Sequence, residues 1–129
     1  MAQPDTLQRI LLVEDEEDIR AVAEVALETV GGFTLKTCAS GRDAIDAIDE
    51  FAPQLVILDV MMPGMDGPET LQAIRQLPNH EQTPAVFMTA KVQSDEVASY
   101  LAEGAVAVIP KPFDPMTLSD RVREIWQSC

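Results

Sequence analysis

Asp59 closes an unbroken apolar run, Leu55-Val56-Ile57-Leu58, and precedes a turn, Met62-Pro63-Gly64-Met65-Asp66-Gly67. A carboxylate beside so apolar a segment carries a desolvation cost unless a partner charge or a reaction uses it. Its chemistry is that of an oxygen nucleophile, able to attack phosphorus and carry an acyl phosphate, or of a ligand for a hard cation. A second acidic group, Glu14-Asp15-Glu16-Glu17-Asp18, follows another apolar run, Ile10-Leu11-Leu12-Val13. Two carboxylate sets at the tips of two buried strands imply one shared site, where like charges call for a cation. Glu14 and Asp15 suit Mg²⁺, which prefers oxygen ligands. Thr89 and Lys111 end two further runs, Pro84–Met88 and Val106–Ile109. Thr89 can donate a hydroxyl, and Lys111 can set an ammonium against a phosphoryl oxygen.

The elements that must position these groups alternate five times. Ile10–Val13 and Leu55–Leu58 read as strands covered on both faces, because nothing in them alternates with polar residues. Phe33–Cys38 alternates and reads as an edge strand with one wet face. Glu17–Val30 reads as a helix with Ile19, Val22, Ala23, Ala26 and Val30 on its apolar stripe, ended by Gly31-Gly32. Ser40 is placed to cap a second helix carrying Ala44, Ile45, Ile48 and Phe51, which Pro53 stops. A third runs from about Pro68 to Leu77, and Asp66 before it suits turn chemistry. Ser94–Ala102 is the weakest, with Val97, Tyr100 and Leu101 as its apolar residues. Asp114 is placed to cap the last helix with Pro115 at its first position and Leu118, Val122 and Ile125 inward. Five β-α repeats specify an α/β fold, a doubly wound five-stranded parallel sheet of flavodoxin-like type. The alternating second strand belongs at an edge, which favours the order 2-1-3-4-5. That order makes neighbours of the four strands that end in Glu14-Asp15, Asp59, Thr89 and Lys111. Lys111 must point into the site while Phe113 turns back to pack, so a cis Lys111-Pro112 bond is expected, since only an X-Pro bond makes that form inexpensive.

The 129 residues read as a single domain, with its core over about residues 8–127 and no output domain. Nine Lys and Arg against 22 Asp and Glu leave a formal charge of −13, which excludes a basic stripe for nucleic acid. Cys38 and Cys129 lack metal-ligand spacing and read as thiols of a reducing, cytoplasmic setting. Met1 to Thr6 lacks the features of a signal peptide, and no apolar run approaches the roughly 20 residues of a membrane helix.

Four pieces in this order, Val13-Glu14-Asp15, Leu58-Asp59 with Met62-Pro63-Gly64-Met65-Asp66-Gly67, Met88-Thr89-Ala90 and Lys111-Pro112-Phe113, resemble the receiver domain of two-component response regulators. The resemblance covers nearly the whole chain. It implies a CheY-like signalling switch, not a turnover enzyme, that accepts a phosphoryl group on Asp59 in a Mg²⁺-dependent reaction. Glu14, Asp15, Asp59 and the Met61 backbone carbonyl are the implied metal ligands, with Thr89 and Lys111 reading the phosphoryl group. Implied partners are a histidine kinase or histidine phosphotransfer protein and a downstream protein, the chain itself being a monomer or weak dimer. Two positions depart from the family's pattern. Val108 stands where many receivers carry a rotating Tyr or Phe, and Pro110 precedes the lysine. Activation is therefore expected to rely on Thr89 and on movement of the stretch Lys91–Ser99.

Other readings fit less well. An aspartyl-phosphate hydrolase would need a second acid two residues after the nucleophile, where Met61 stands. A flavodoxin-type cofactor binder would need an anion-binding loop after the first strand, where five acids stand instead. A degenerate receiver serving only as an interaction module does not account for the intact set Glu14, Asp15, Asp59, Thr89 and Lys111. Glu16, Glu17 and Asp18 read as a solvated first helical turn, and Cys38, His80 and Trp126 as structural or incidental.

Overall fold

Strands β1 (Arg9–Val13), β2 (Thr34–Cys38), β3 (Leu55–Asp59), β4 (Ala85–Thr89) and β5 (Ala107–Pro110) form one parallel sheet in the computed structural model, which describes residues 6–129. Their order, β2-β1-β3-β4-β5, is the expected one. Of the stretch read as lacking a signal peptide, residues 1–5 lie outside those described. Period-two alternation divides each buried strand between two cores. Ile10, Leu12, Ile57 and Met88 face one side, with Ala23, Leu27, Val122 and Ile125. Leu11, Val13, Leu58 and Phe87 face the other, with Ala44, Ile48, Leu71 and Tyr100. Every residue of β3 and β4 is buried, while β2 buries only Cys38, as an edge strand should.

The helices are α1 (Glu17–Glu24), α2 (Gly41–Phe51), α3 (Gly67–Arg75), α4 (Ser94–Ala102) and α5 (Leu118–Ser128). Ser40 caps α2 by accepting from Asp43 N at 3.1 Å. Asp66 is more than a turn former. It caps α3 by accepting from Glu69 N at 2.8 Å, and Glu69 Oε1 accepts from Asp66 N at 3.0 Å. Only Tyr100 of α4 is buried, against the Phe87 ring edge at 5.6 Å between centroids. Leu101 remains 45% exposed, in keeping with the weak patterning of that helix.

Two helical expectations need correction. The first helix reaches Val30, but its last six residues, Val25–Val30, are wound as a π-helix. The wider winding, seen in the Gly31 N to Ala26 O bond of 3.2 Å, changes the face each residue presents. Ala23, Ala26 and Leu27 are buried, and Val30 turns outward. Val22 lies in the regular part, yet it borders a surface cavity instead of the core. At the other end, Asp114 caps a turn and not α5 itself. Its Oδ1 accepts from Met116 N at 2.8 Å and its carbonyl from Leu118 N at 3.0 Å, so the helix begins three residues beyond Pro115. Leu118, Val122 and Ile125 do face inward. The Lys111-Pro112 bond is cis, as expected.

The remaining singled-out residues are structural. His80 is buried, with Nε2 3.0 Å from Asp49 Oδ1 and Nδ1 3.2 Å from Thr83 Oγ1, which ties α2 to the segment before β4. Trp126 is buried in the α1–α5 core. Cys38 and Cys129 are free thiols, and burial pushes the Cys38 thiol above its ordinary value. Among the described residues no helix is long and apolar enough to cross a membrane.

A side-chain hydrogen bond ties the π segment to α5. Ser119 Oγ donates to Ala26 O at 2.7 Å, and a Cβ on Gly31 would lie 2.0 Å from that hydroxyl oxygen and 2.8 Å from Leu27 O. Gly31→Ala should therefore cost about 1–3 kcal/mol of stability, the range of overpacking a tight contact. Because the two residues share this contact, denaturant unfolding of Gly31→Ala/Ser119→Ala should show a loss smaller than the sum of the single losses. Additive losses would mean that the contact does not govern the packing of α5 on the π segment.

Candidate functional site

Register alone brings the expected groups to one rim. Val13 pairs with Leu58, so Glu14 and Asp59 emerge side by side from β1 and β3. Asp59 pairs with Met88, and Thr89 follows it. Thr89 pairs with Pro110, and Lys111 N donates to Thr89 O at 2.9 Å just beyond. The carboxyl edge of an open α/β sheet is where such folds keep ligand sites. The backbone of Asp59 is held from behind by α3. Gly67 N donates to Val60 O at 2.9 Å, and a Cβ on Gly67 would come within 2.6 Å of Asp59 O. Only glycine permits that approach.

One ligand atom from each of Glu14, Asp15 and Asp59 lies within 4.8 Å of the other two. Lys111 Nζ donates to Asp59 Oδ1 at 3.0 Å and lies 2.8 Å from Glu14 Oε1. The second contact is an ion pair with a fully buried carboxylate. Asp15 Oδ1 is buried without a hydrogen-bond donor. Glu14 Oε2 accepts from Glu16 N at 3.1 Å, which turns that carboxylate toward the site. Burial, then the Glu14 charge, raise Asp59 to about 7 against the opposing pull of Lys111. Burial would lower Lys111, but Glu14 and Asp59 together outweigh it and the net shift is upward.

A cavity of about 600 Å³ opens above these groups. Asp59, Thr89 and Lys111 form its floor, and Ile19, Val22, Met61 and Phe113 are among its apolar walls. Thr89 is buried, and its Oγ1 accepts from Lys91 N at 3.0 Å. The Met61 side chain is 61% exposed at the rim, two residues beyond Asp59. Glu16, Glu17 and Asp18 are exposed, as a solvated first turn should be, although Glu16 and Asp18 border the cavity. Val108 is half-buried beside Phe87, and Pro110 is exposed.

Arg20 also meets the site, although its residue type had not singled it out. Its Nη1 donates to the carbonyls of Glu14 at 2.7 Å and Asp15 at 3.4 Å. The available signal was its isolation, as the sole basic residue between Arg9 and Lys36, two positions after the acidic run.

Comparison with known proteins adds the family. The model of the response regulator receiver domain matches residues 10–123. Response regulator Rre1 of Synechocystis sp. is 37% identical over 126 residues, covering 97% of this chain and 53% of that protein. The DNA-binding transcriptional regulator NtrC of Klebsiella pneumoniae is 39% identical over 119 residues, 90% of this chain and 25% of that protein. The chain thus spans about half the length of the first and a quarter of the second. A solved structure of the chemotaxis protein CheY4 of Vibrio cholerae superposes with a TM-score of 0.85 at 28% identity, covering 93% of this chain and 99% of that one. The chain belongs to the response regulator receiver domain family.

Proposed function

We propose that this phosphorylation-dependent signalling switch accepts its phosphoryl group on Asp59, with a cation held by Glu14, Asp15, Asp59 and the backbone carbonyl of Met61. The observation that carries the reading is the meeting of three carboxylates and one ammonium, of which Asp59 and Lys111 open onto a cavity. The donor set fits Mg²⁺. It consists of hard oxygens, and Asp15 Oδ1 is buried yet lacks a hydrogen-bond donor. Bound there, Mg²⁺ would neutralise charge on the transferring oxygens.

The chain's own residues do the rest. An Asp59 oxygen attacks phosphorus of a phosphohistidine on a histidine kinase or phosphotransfer protein. The new O–P bond is an acyl phosphate, the P–N bond breaks, and the imidazole nitrogen keeps the electron pair and takes a proton from solvent. Lys111, already at Asp59, pairs with a phosphoryl oxygen. Thr89 donates its hydroxyl to another. That hydroxyl now accepts from Lys91 N, so turning toward the site loosens the segment leading to α4. The protein keeps the group it receives, so the transfer is stoichiometric. The downstream listener is a protein reached by contact or relay. No nucleic-acid contact belongs to this reading, and the setting is cytoplasmic.

Three outcomes follow. Incubation with acetyl phosphate and Mg²⁺ should add one phosphoryl group by intact mass. Asp59→Asn or a chelator should abolish the addition, and equal labelling of that variant would remove Asp59 from the role. Mg²⁺ should raise the melting temperature, since a ligand of the native state stabilises it by mass action, and Asp15→Asn should lose most of that rise.

The third concerns pH in chelator. Asp59 rises from an ordinary 3.8 to about 7 on folding, so the folded state holds a proton that the unfolded state has released. Its contribution therefore weakens the fold as pH climbs from about 4 to 7, and stays lost above. The melting temperature of Asp59→Asn relative to wild type should be more favourable at pH 8 than at pH 5. A gap independent of pH would mean that burial does not perturb this carboxylate.

A further inference from the structure

We propose that Arg20 is a positioning residue for the cation site, an inference that rests on the Mg²⁺ reading above. Glu14 and Asp15 leave the sheet where β1 ends, so their carboxylates are aimed by the loop that joins β1 to α1. Three groups hold that loop. Glu14 N donates to Cys38 O at 3.0 Å, the last tie to the sheet. Glu16 N donates to Glu14 Oε2 at 3.1 Å. The third is the Arg20 guanidinium, which spans the carbonyls of the two ligand residues themselves. Arg20 is fixed in turn by the first turn of α1, where its own N donates to Glu16 O at 2.9 Å.

The placement of this cation is specific. Among the described residues Arg20 makes no ion pair, although it follows five consecutive acids. It spends its donors on backbone carbonyls and leaves the ligand oxygens of Glu14 and Asp15 to the site. Both bonds leave the single nitrogen Nη1, held at the end of a long side chain by a planar guanidinium, and lysine has neither that reach nor a planar group to fix its direction. Groups that orient metal ligands from outside the ligand set typically cost about 10- to 100-fold in metal affinity when removed.

The sign of the effect separates this role from simple electrostatics. If Arg20 acted only through its charge, removing it would make an acidic site more attractive to a cation and tighten Mg²⁺ binding. If it positions the loop, removing it weakens binding. Arg20→Lys sharpens the contrast, because charge is kept while the reach and planar orientation of the guanidinium are lost.

The test is calorimetric titration of the metal-free chain with MgCl₂, beside melting temperatures in chelator. Arg20→Ala should bind Mg²⁺ about 10-fold or more weakly, Arg20→Lys should lie between it and wild type, and both should melt near wild type in chelator. Unchanged or tighter binding by Arg20→Ala overturns the proposal. So does a fall in metal-free melting temperature large enough to account for the loss. Should Arg20→Ala fail to fold, Arg20→Lys decides alone, weaker binding supporting the role and equal binding overturning it. A wild-type chain that binds no Mg²⁺ overturns the cation site itself and this inference with it, whereas normal wild-type binding with an indifferent Arg20→Ala overturns the inference alone.

Discussion

Three carboxylates crowd the carboxyl edge of the sheet beside one ammonium that pairs with two of them, and much of the local structure answers that imbalance. Glu14 is fully buried, Asp59 nearly so, and Lys111 is the basic side chain paired with both. In a medium of low effective dielectric such a set resists full ionisation. Asp59 absorbs the strain by holding its proton to about pH 7. A divalent cation relieves it differently, by matching the two negative charges that one ammonium leaves uncompensated. In the proposed transfer, the ionised form of Asp59 would be favoured by that cation before any phosphodonor arrived.

The fold supplies what this arrangement requires. Parallel strands with in-step registers deliver Glu14, Asp59, Thr89 and Lys111 to one edge, each as the last or next residue of its strand. Loops at that edge are then free of sheet bonding and need other restraints. The β3–α3 loop is restrained by Gly67 against the Asp59 backbone and by the reciprocal Asp66–Glu69 cap. The β1–α1 loop uses Arg20 and the return of Glu14 onto Glu16 N. Rigid support behind a strained charge cluster keeps reacting groups in place without reorganisation at the moment of reaction.

How much of this was legible in the sequence varies with the physics of each element. The sheet order and the meeting of Glu14, Asp15, Asp59, Thr89 and Lys111 could be read because each polar group interrupts an apolar run, a contrast that survives without coordinates. The alternation of Phe33–Cys38 placed β2 at the edge for the same reason. The π-helical turn could not be read, since apolar spacing in Val25–Val30 fits a 3.6-residue period as well as a wider one. Val22 was misassigned because its apolar character serves a cavity wall as well as a core. Asp114 has the residue type of a cap, yet cap and turn use the same bonds, and their difference lies in backbone angles three residues on. Arg20 escaped notice because its partners are carbonyls, which every residue possesses and no residue type reveals.

Support around the site is unequal, and this bears on where a change at Asp59 can travel. Glu14 and Asp59 stand on β1 and β3, each flanked by strands on both sides and packed between two cores. Lys111 instead follows β5, an edge strand that fully buries only Ile109, and Thr89, although it ends the buried β4, leads into α4, which buries only Tyr100. Local rearrangement costs least where few apolar contacts must be broken. Under the proposed transfer to Asp59, the hydroxyl of Thr89 and the ammonium of Lys111 would be drawn to the new group, and the central strands would have little freedom to follow. Displacement would then fall to the segment from Lys91 into α4 and to β5. Val108, packed beside Phe87 without a ring to swing, leaves that displacement to the backbone and to the whole of α4.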